Sequence, residues 1–475
     1  MKVKQVRRWQ KQSGAVLIGL IIVLGAWMIL GAAPEGTLKA GLGAALRSPG
    51  GPRLISVQPL PEAADGEMCQ WLPASASTSL MTELQQEQGK PQDDIGTREP
   101  IRKIKDSYSS YSSVAVDTAN DEVVMTDESL FNILTYSRTE NTPASATMSE
   151  PKRMIGGVNS WVEYQCGVYI DPVTGDIYAV NNDTVDKLVI FSRKKQGNAA
   201  PDRIVNTPHT TYGIAVDEPH HELFLTAQES ASVVVFDKYA KTDDSPLRLL
   251  QGDKTLLADP HGLAVDSKRD LMFVTNFGNA AKHDASTAPR RGGGGGDEGG
   301  FFSLSPKENW PLARESAVPG SGQFTGPSIT VYKRDAEGDV APLRVIRGPK
   351  AGLNWPTGLS VDSERGELYV ANDTGDDILV FSTDAAGDAA PKRVIKGPKS
   401  LVKSPTGVFF DSKHQELWVS NFGNHTATVY KASASGDSAP LRVIRSAPLS
   451  MPTPNIGNAY APAYDSKRDQ ILVPD

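Results

Sequence analysis

Cysteine is scarce in this chain, with only Cys69 and Cys166 among 475 residues. Two thiols are too few for a Cys-x-x-Cys-His haem site or for a multi-thiolate metal centre. In an oxidising compartment the pair could form a disulfide that ties the segment before the repeats to the loop before the second repeat. Two unrelated thiols are an equally good interpretation, because the sequence does not give their Cα separation.

Positive charge is also scarce beyond the N-terminus. The net charge is −7, and no basic block follows the first dozen residues, so we expect no nucleic-acid partner. The sequence contains no Asp-x-Asp-x-Asp-Gly loop, and the glycines at 292–296 lack the Lys-Ser or Lys-Thr of a phosphate loop. We therefore expect no cofactor and no metal site; calcium held by loop oxygens is the alternative.

Residues 14–33 carry no charge of either sign and follow a basic segment, residues 1–13. At helical rise such a run spans about 30 Å, the thickness of a bilayer core. This pattern predicts a cytoplasmic tail (1–13), a transmembrane anchor (14–33) and a flexible spacer rich in Gly, Pro and Ala (34–76). The rest would lie outside the cytoplasm, in the periplasm or at the cell surface. A cleavable signal peptide is the alternative, since Gly31-Ala32-Ala33 fits a small-residue cleavage site.

What the chain does have is an internal repeat. An apolar strand that ends in Asp, followed after a short turn by a second apolar strand, occurs seven times. The terminal residues of the seven copies are Asp117, Asp171, Asp217, Asp266, Asp362, Asp411 and Asp465. A repeat of about 50 residues made of β-branched and aromatic runs is typical of one four-stranded sheet per repeat, which is the blade of a β-propeller.

The sequence therefore predicts an all-β fold, a seven-bladed β-propeller over residues 77–475. A Pro-x-Arg signature opens each predicted outer strand, from Pro100/Arg102 to Pro440/Arg442. Since the chain begins with an outer strand (Ile101 to Lys105) and ends with inner strands, we expect the two termini to share the closing blade. Such closure would remove exposed sheet edges. We also expect each repeated Arg, such as Arg344, to lie near a repeated Asp, such as Asp362.

An aromatic residue precedes the repeated proline by ten positions in five units. These residues are Phe191, Phe236, Tyr332, Phe381 and Tyr430. Such regular placement predicts an anchor at the end of the third strand of each unit, packed between neighbouring blades.

The repeat resembles the NHL and YVTN-type propeller repeats, whose units combine Gly-Ile/Leu-Ala-Val-Asp, Leu-Tyr-Val-Ala-Asn and an Ile-x-Val-Phe strand. Here the matching residues are Gly358 to Asp362, Leu368 to Asn372 and Ile378 to Phe381. The resemblance extends over about residues 100–475 and implies the propeller fold. It says little about function, because the motif encodes turns and blade packing.

Strand alternation places the loops before each inner strand and the turns after each second strand on one face, around the mouth of the central channel. We therefore name as candidate ligand residues, in chain order, His209, Tyr212, His261, Asn276, Trp355, Asn372 and Asn421. Aromatic and carboxamide side chains suit a polar ligand, a peptide or a sugar. For each Asn the alternative is structural, since Asn caps tight turns.

Pro260-His261-Gly262 also resembles the His-Gly step of streptogramin-lyase-type propellers, which implies a base at His261. The acidic partner of that family is missing, because the following strand ends in Val274-Thr275-Asn276. We therefore predict no catalytic residue.

An insertion at residues 280–327 interrupts the fourth blade after its second strand. It contains a glycine run and the aromatic residues Phe301, Phe302 and Trp310. We interpret the insertion as a docking arm for a partner, and the alternative is an unstructured bulge.

These patterns predict a membrane-anchored binding or scaffold module that holds a protein or polysaccharide partner without chemistry of its own. The alternative is a lactonase- or lyase-like enzyme that uses the channel mouth.

Overall fold

The structure of the chain is a computed structural model that describes residues 106–182, 185–284, 316–317, 322–453, 463–465 and 470–472. The predicted tail, anchor and spacer (1–76) lie outside these residues. Within the described ranges, no helix combines the length and the apolarity that a membrane crossing requires.

The described chain forms six four-stranded antiparallel sheets, each made of strands A, B, C and D in chain order. Blade 1 consists of β1 (Tyr111–Asp117), β2 (Glu122–Asp127), β3 (Asn132–Ser137) and β4 (Arg153–Gly156). Blade 2 consists of β5 (Gln165–Ile170), β6 (Ile177–Asn181), β7 (Lys187–Phe191) and β8 (Arg203–Asn206). Blade 3 consists of β9 (Thr211–Asp217), β10 (Glu222–Ala227), β11 (Ser232–Asp237) and β12 (Arg248–Gln251).

Blade 4 carries the insertion between its strands B and C, and blades 5 and 6 are uninterrupted. Blade 4 consists of β13 (Pro260–Asp266), β14 (Leu271–Asn276), β19 (Ser328–Lys333) and β20 (Arg344–Ile346). Blade 5 consists of β21 (Pro356–Asp362), β22 (Glu367–Asn372), β23 (Asp377–Ser382) and β24 (Arg393–Ile395). Blade 6 consists of β25 (Pro405–Asp411), β26 (Glu416–Asn421), β27 (Thr426–Lys431) and β28 (Arg442–Arg445). Short 3-10 helices span Val158–Ser160, Glu218–His220, Asp253–Thr255 and Phe422–Asn424.

The six A strands form a closed ring around a central channel. Each A strand contacts the A strand of the next blade, and β25 of blade 6 contacts β1 of blade 1. The all-β propeller prediction is confirmed, and the count of seven blades is wrong. Blade 1 takes all four of its strands from one continuous segment and packs directly on blade 6, which leaves no place for another blade between them.

The seventh copy of the repeat is not a blade of this ring. Its strands β29 (Ala463–Asp465) and β30 (Gln470–Leu472) pair with each other and with no other described strand. The ring closes instead through the loop after strand C of blade 1. The N–H groups of Thr142 and Ser149 donate to the carbonyls of Val443 and Arg445 at 2.7 and 2.8 Å. Residues 101–105, the predicted partner strand, lie outside the described residues.

The hydrophobic core consists of six clusters, one at each contact between neighbouring blades. The cluster that closes the ring joins Tyr111 and Tyr136 of blade 1 to Trp418 of blade 6. The five predicted aromatic anchors are at most 1% exposed, and each lies in a cluster with residues of the preceding blade. This prediction is confirmed. Aromatic side chains fill the wedge between twisted sheets because they bury a large area.

Glycine lets the A strands approach each other at the upper end of the channel. A Cβ on Gly358 would lie 2.8 Å from the carbonyl oxygen of Thr406 and 3.0 Å from the Cα of Gly407. Both neighbours are backbone atoms, so a side chain there would push two blades apart. Blades 2 to 6 have Gly at this position, and blade 1 has Ser113. The glycine is therefore required for the width of the ring.

Among the described residues, no hydrogen bond or ion pair joins the repeated arginine to the repeated aspartate. Arg344, for which we expected Asp362, donates to the carbonyl of Thr383 at 2.7 Å. Arg393 forms two hydrogen bonds to Glu367, the first residue of strand B in its own blade, at 2.7 and 2.8 Å. Asp362 instead accepts the backbone N–H groups of Glu364 and Arg365 in the turn between strands A and B. The carboxylate of the aspartate is already hydrogen-bonded within its own turn, which is common for short acidic side chains. Strand B lies between strands A and D in the sheet, so the glutamate of strand B is nearer to the arginine of strand D than the aspartate of strand A is.

Candidate ligand site at the channel mouth

The loops between strands D and A meet the turns between strands B and C at one end of the channel. In every blade, the residue that follows strand B donates its backbone N–H to a carbonyl in the segment that leads into strand A. The acceptor lies three residues before the repeated glycine of strand A, which is Gly358 in blade 5. Asn182 to Tyr164, Phe277 to Asp259 and Asp373 to Trp355 are examples, at 2.9 to 3.0 Å. We call this end of the channel the mouth.

Strand B ends in Asp or Asn in five blades, and this side chain is structural. Asn372 is 0% exposed; its Oδ1 accepts the N–H of Asn354 at 2.6 Å, and its amide nitrogen donates to Gly352 and Asp377. Asn276 and Asn421 make the equivalent bonds to Ala258 and Lys403. Since these amides are buried and bonded to the protein, the predicted ligand role of the three Asn residues has no support in the geometry.

Of the other four predicted ligand residues, His209 and Trp355 lie in loops before strand A, and Tyr212 and His261 lie near the start of strand A. Tyr212, His261 and Trp355 belong to one aromatic group at the mouth. His209 makes a separate contact: its Nδ1 lies 3.0 Å from Oδ1 of Asp186, between strands B and C of blade 2.

Two positions in each blade lie at the mouth end of the channel. The first is the residue before the glycine of strand A, and we call this set the strand ring: Ser112, Cys166, Tyr212, His261, Thr357 and Thr406. The second is the residue after strand B, and we call this set the turn ring: Glu128, Asn182, Gln228, Phe277, Asp373 and Phe422. Their side chains differ from blade to blade, so the mouth has an aromatic side and an acidic side.

The aromatic side runs from the channel to the surface. Tyr212 contacts the ring of His261 with centroids 4.4 Å apart, and His261 stacks nearly parallel on Phe277. Phe277 in turn stacks on Trp355 at 4.8 Å. Trp355 is 49% exposed, so the outermost ring of this wall faces solvent.

His261 is held as a neutral ring within that wall. Burial lowers its pKa to about 4, although Asp259 acts in the opposite direction. Its Nε2 lies 2.6 Å from the amide nitrogen of Gln228, whose oxygen accepts from Asn182 at 2.8 Å. A histidine with such a low pKa is a poor general base near pH 7.

The acidic side of the mouth is formed by Glu128 and Asp373. Burial raises the pKa of Glu128 to about 7; the thiol of Cys166 lowers it, and the charges of Asp127 and Asp373 raise it. Burial also raises the pKa of Asp373 to about 6. Both carboxylates act on Tyr212, whose pKa burial raises well above 10. Glu128 contacts Cys166, and Cys166 and Tyr212 line the upper end of the central cavity, so Glu128 lies beside that cavity.

Below the mouth the channel holds a cavity of about 270 Å³ lined by the A strands of all six blades. Cys166 and Tyr212 line its upper end, and apolar residues such as Val216 and Phe410 line its lower part. The polar groups are thus concentrated at the mouth.

Exposed apolar side chains lie in the loops before strand A of four blades. Trp161, Leu256 and Leu401 occupy one equivalent position in blades 2, 4 and 6, and they are 45%, 51% and 42% exposed. Each has a positive φ, between 56° and 60°, which costs an L-residue about 1–2 kcal/mol. Gly352 occupies the same position in blade 5 at φ 68°. We call these residues, with Trp355, the apolar rim.

The insertion leaves blade 4 at the mouth through a short described stem. β15 (Asn279–Ala280) pairs with β18 (Gln323–Phe324), and β16 (His283–Asp284) pairs with β17 (Ser316–Ala317). Phe301, Phe302 and Trp310 lie outside the described residues, and their docking role stays a prediction.

Sequence reasoning missed Glu128, Gln228 and Phe277. One signal was available: each directly follows the last residue of strand B, a position that the repeat does not fix. Sequence reasoning also left Cys166 in a loop, whereas it lies on strand A at the mouth. Cys69 lies outside the described residues, so its disulfide with Cys166 stays a prediction.

Among the described residues, no group of three His, Cys, Asp or Glu side chains has the arrangement of a metal site. A calcium ion therefore stays an untested alternative that no described cluster supports.

No protein-family model matches the sequence, and a comparison with curated proteins finds no match. Among solved structures, the hydrazine synthase of Kuenenia stuttgartiensis aligns with a TM-score of 0.44 and 9% identity, covering 71% of this chain and 99% of that chain. A chain of the nidogen/laminin complex aligns with a TM-score of 0.42 and 13% identity, covering 72% and 94%. At these values neither likeness carries an argument about function.

Proposed function

We propose that the chain is a binding module whose mouth face receives a partner, held outside the cytoplasm by the apolar segment at residues 14–33. Its propeller supplies a rigid frame, and the mouth supplies a cavity, an aromatic wall and an acidic side. The membrane anchor rests on the sequence pattern alone.

One observation carries the proposal: the side chains at the mouth differ from blade to blade, whereas the positions that hold the fold recur. The glycine of strand A recurs in five blades; Asp ends strand A in five blades and directly follows it in blade 2. The turn ring, in contrast, contains Glu, Asn, Gln, Phe, Asp and Phe. Side chains that the fold does not need, in a concave polar and aromatic setting, are typical of a ligand site.

Face-resolved photo-crosslinking in cells tests the proposal. A photoreactive amino acid at Leu401, in the apolar rim, should give one discrete adduct. The matched position is Val173, which is 87% exposed in the turn between strands A and B at the opposite end of its blade. The proposal fails if Val173 captures the same adduct, or if Leu401 captures none.

A hydrolytic function is the second candidate, and the raised pKa of Glu128 favours it. A carboxyl group with a pKa of about 7 in a cleft is suited to general acid or base chemistry. Under this alternative, a screen of lactone and glycan substrates should reveal turnover that Glu128→Gln abolishes. A screen without turnover leaves the binding function as the better account.

A further inference from the structure

We propose that the mouth receives one basic side chain, of arginine or lysine, presented by a protein partner that covers the apolar rim. This inference deepens the proposed binding function and rests on it.

The first argument is charge. Glu128 lies beside the upper end of the cavity, where its Oε1 accepts the thiol hydrogen of Cys166 at 3.4 Å, and the charge of Asp373, another acidic member of the turn ring, acts on it. Among the described residues, no cation contributes to the electrostatics of Glu128. Lys403 lies near Asp373 but pairs with Asp376 at 2.6 Å. Carboxylates removed from water without a cation are costly. A cation from a partner would offset that cost.

The second argument is the facing wall. Aromatic faces attract cations through the ring quadrupole, and arginine also stacks on them. His261 would repel a cation if it were protonated, but its lowered pKa keeps it neutral at physiological pH. His261 and Phe277 are buried inside the stack, at 3% and 9% exposed. A cation can therefore reach the ends of the stack, the half-buried Tyr212 and the exposed Trp355.

The third argument is size. A cavity of about 270 Å³ holds a single long side chain, whereas a helix with its side chains is about 10 Å across. The occupant of the channel is thus one side chain, and the rest of the partner must lie on the rim.

The fourth argument is the apolar rim, which favours a protein surface. Trp161, Leu256 and Leu401 are large, exposed and held in a backbone conformation that is unfavourable for them. The turn itself does not require a large side chain, since Gly352 serves at the same position in blade 5; within this set, the ring of Trp161 contacts Lys187, whose Nζ lies 5.5 Å from the ring centroid. Apolar groups around a polar centre exclude water from the central contact of protein interfaces.

Isothermal titration calorimetry tests this inference on the full chain in detergent at pH 7.5. The probes are a peptide with one central arginine flanked by leucines and the same peptide with citrulline, which has nearly the same shape without the charge. We expect the arginine peptide to bind at least tenfold more tightly. Glu128→Gln and Asp373→Asn should each weaken it at least tenfold. Glu364→Gln, which removes an exposed carboxylate paired with Lys268 on the opposite face, should leave it unchanged.

Equal binding of the two peptides, no binding of either, or binding that both mouth variants retain would overturn the inference. A neutral oligosaccharide that competes with the arginine peptide, and whose binding is lost in Trp355→Ala, would also overturn the inference. It would still leave the mouth as a ligand site. Circular dichroism of each variant separates loss of binding from loss of fold.

Discussion

Cys166 of blade 2 donates its thiol hydrogen to Oε1 of Glu128 of blade 1 at 3.4 Å. This contact crosses the boundary between two blades at the mouth and joins the strand ring to the turn ring. A thiol is a weak donor, so it compensates only part of the cost of a carboxylate in this position. The pKa of Glu128, raised to about 7, follows from that imbalance.

Glu128 should make the protein less stable as the pH rises. Its pKa is about 4.5 in the unfolded chain and about 7 in the folded one, so the folded state holds the proton more tightly. The free energy of unfolding should fall between these two values and then level off. Glu128→Gln should therefore raise the free energy of unfolding by roughly 1–3 kcal/mol at pH 8 and change this free energy little at pH 4. Urea titrations at both pH values measure this, with Glu364→Gln as control; an equal effect at both would contradict it.

Binding of a cationic probe should show the opposite dependence on pH. A cation prefers the ionised carboxylate, so affinity for the arginine peptide should fall as Glu128 and Asp373 take up protons. The other titratable groups facing Glu128 are Cys166, Asp127 and Tyr212. We expect about tenfold weaker binding at pH 5.5 than at pH 8. Calorimetry across this range measures it, and affinity that does not change with pH would exclude the two carboxylates.

The closure of the ring should depend on Arg445 and not on the seventh repeat. Arg445 is buried and donates to the carbonyls of Thr142, Pro143 and Ala146 in blade 1. Arg445→Ala should lower the free energy of unfolding by about 2–4 kcal/mol, because hydrogen bonds of a buried charged group are lost. Arg347 is the equivalent residue of blade 4 and is exposed; Arg347→Ala should have almost no effect.

Removal of residues 454–475 should leave the propeller folded, with its melting temperature changed by no more than about 2 °C. Differential scanning calorimetry measures this. Loss of a cooperative transition would show that the seventh repeat completes the ring after all.

Blade 6 shows how to excise the insertion. Its turn reads Asn421-Phe422-Gly423-Asn424-His425-Thr426, and blade 4 begins in the same way with Asn276-Phe277-Gly278-Asn279. Replacing residues 280–327 by one His should restore the uninterrupted turn. The thermal transition should stay nearly unchanged, since long surface loops add little to stability, while capture of the partner should be lost if the insertion is a docking arm. Capture that survives would leave the mouth as the binding site without the insertion.

The parts of this fold that depend on local sequence could be predicted. Asp at the end of strand A, Gly near its start and the aromatic residue of strand C each act through neighbours a few residues away or in the next blade. The number of blades could not be counted in this way. Whether the seventh copy enters the ring depends on the packing of Tyr111 against Trp418, which are far apart in the chain.

The site was predicted in part for a similar reason. Tyr212, His261 and Trp355 stood out because bulky aromatic residues are not needed for a turn. For Asn276, Asn372 and Asn421 the sequence could not separate the two roles, because the carboxamide that would bind a ligand is also the group that holds a loop. Glu128 looked like an ordinary turn residue, and only the three-dimensional contact with Cys166 shows that it faces the channel.

The central claim is that the mouth receives the partner, and an experimental structure of the complex tests it most directly. The partner would be isolated by crosslinking at Leu401 and identified before structure determination. The account predicts a basic side chain of the partner within about 4 Å of Glu128 or Asp373, with the apolar rim buried around it. A partner bound to the opposite face, or one that leaves the mouth open to solvent, would contradict the account.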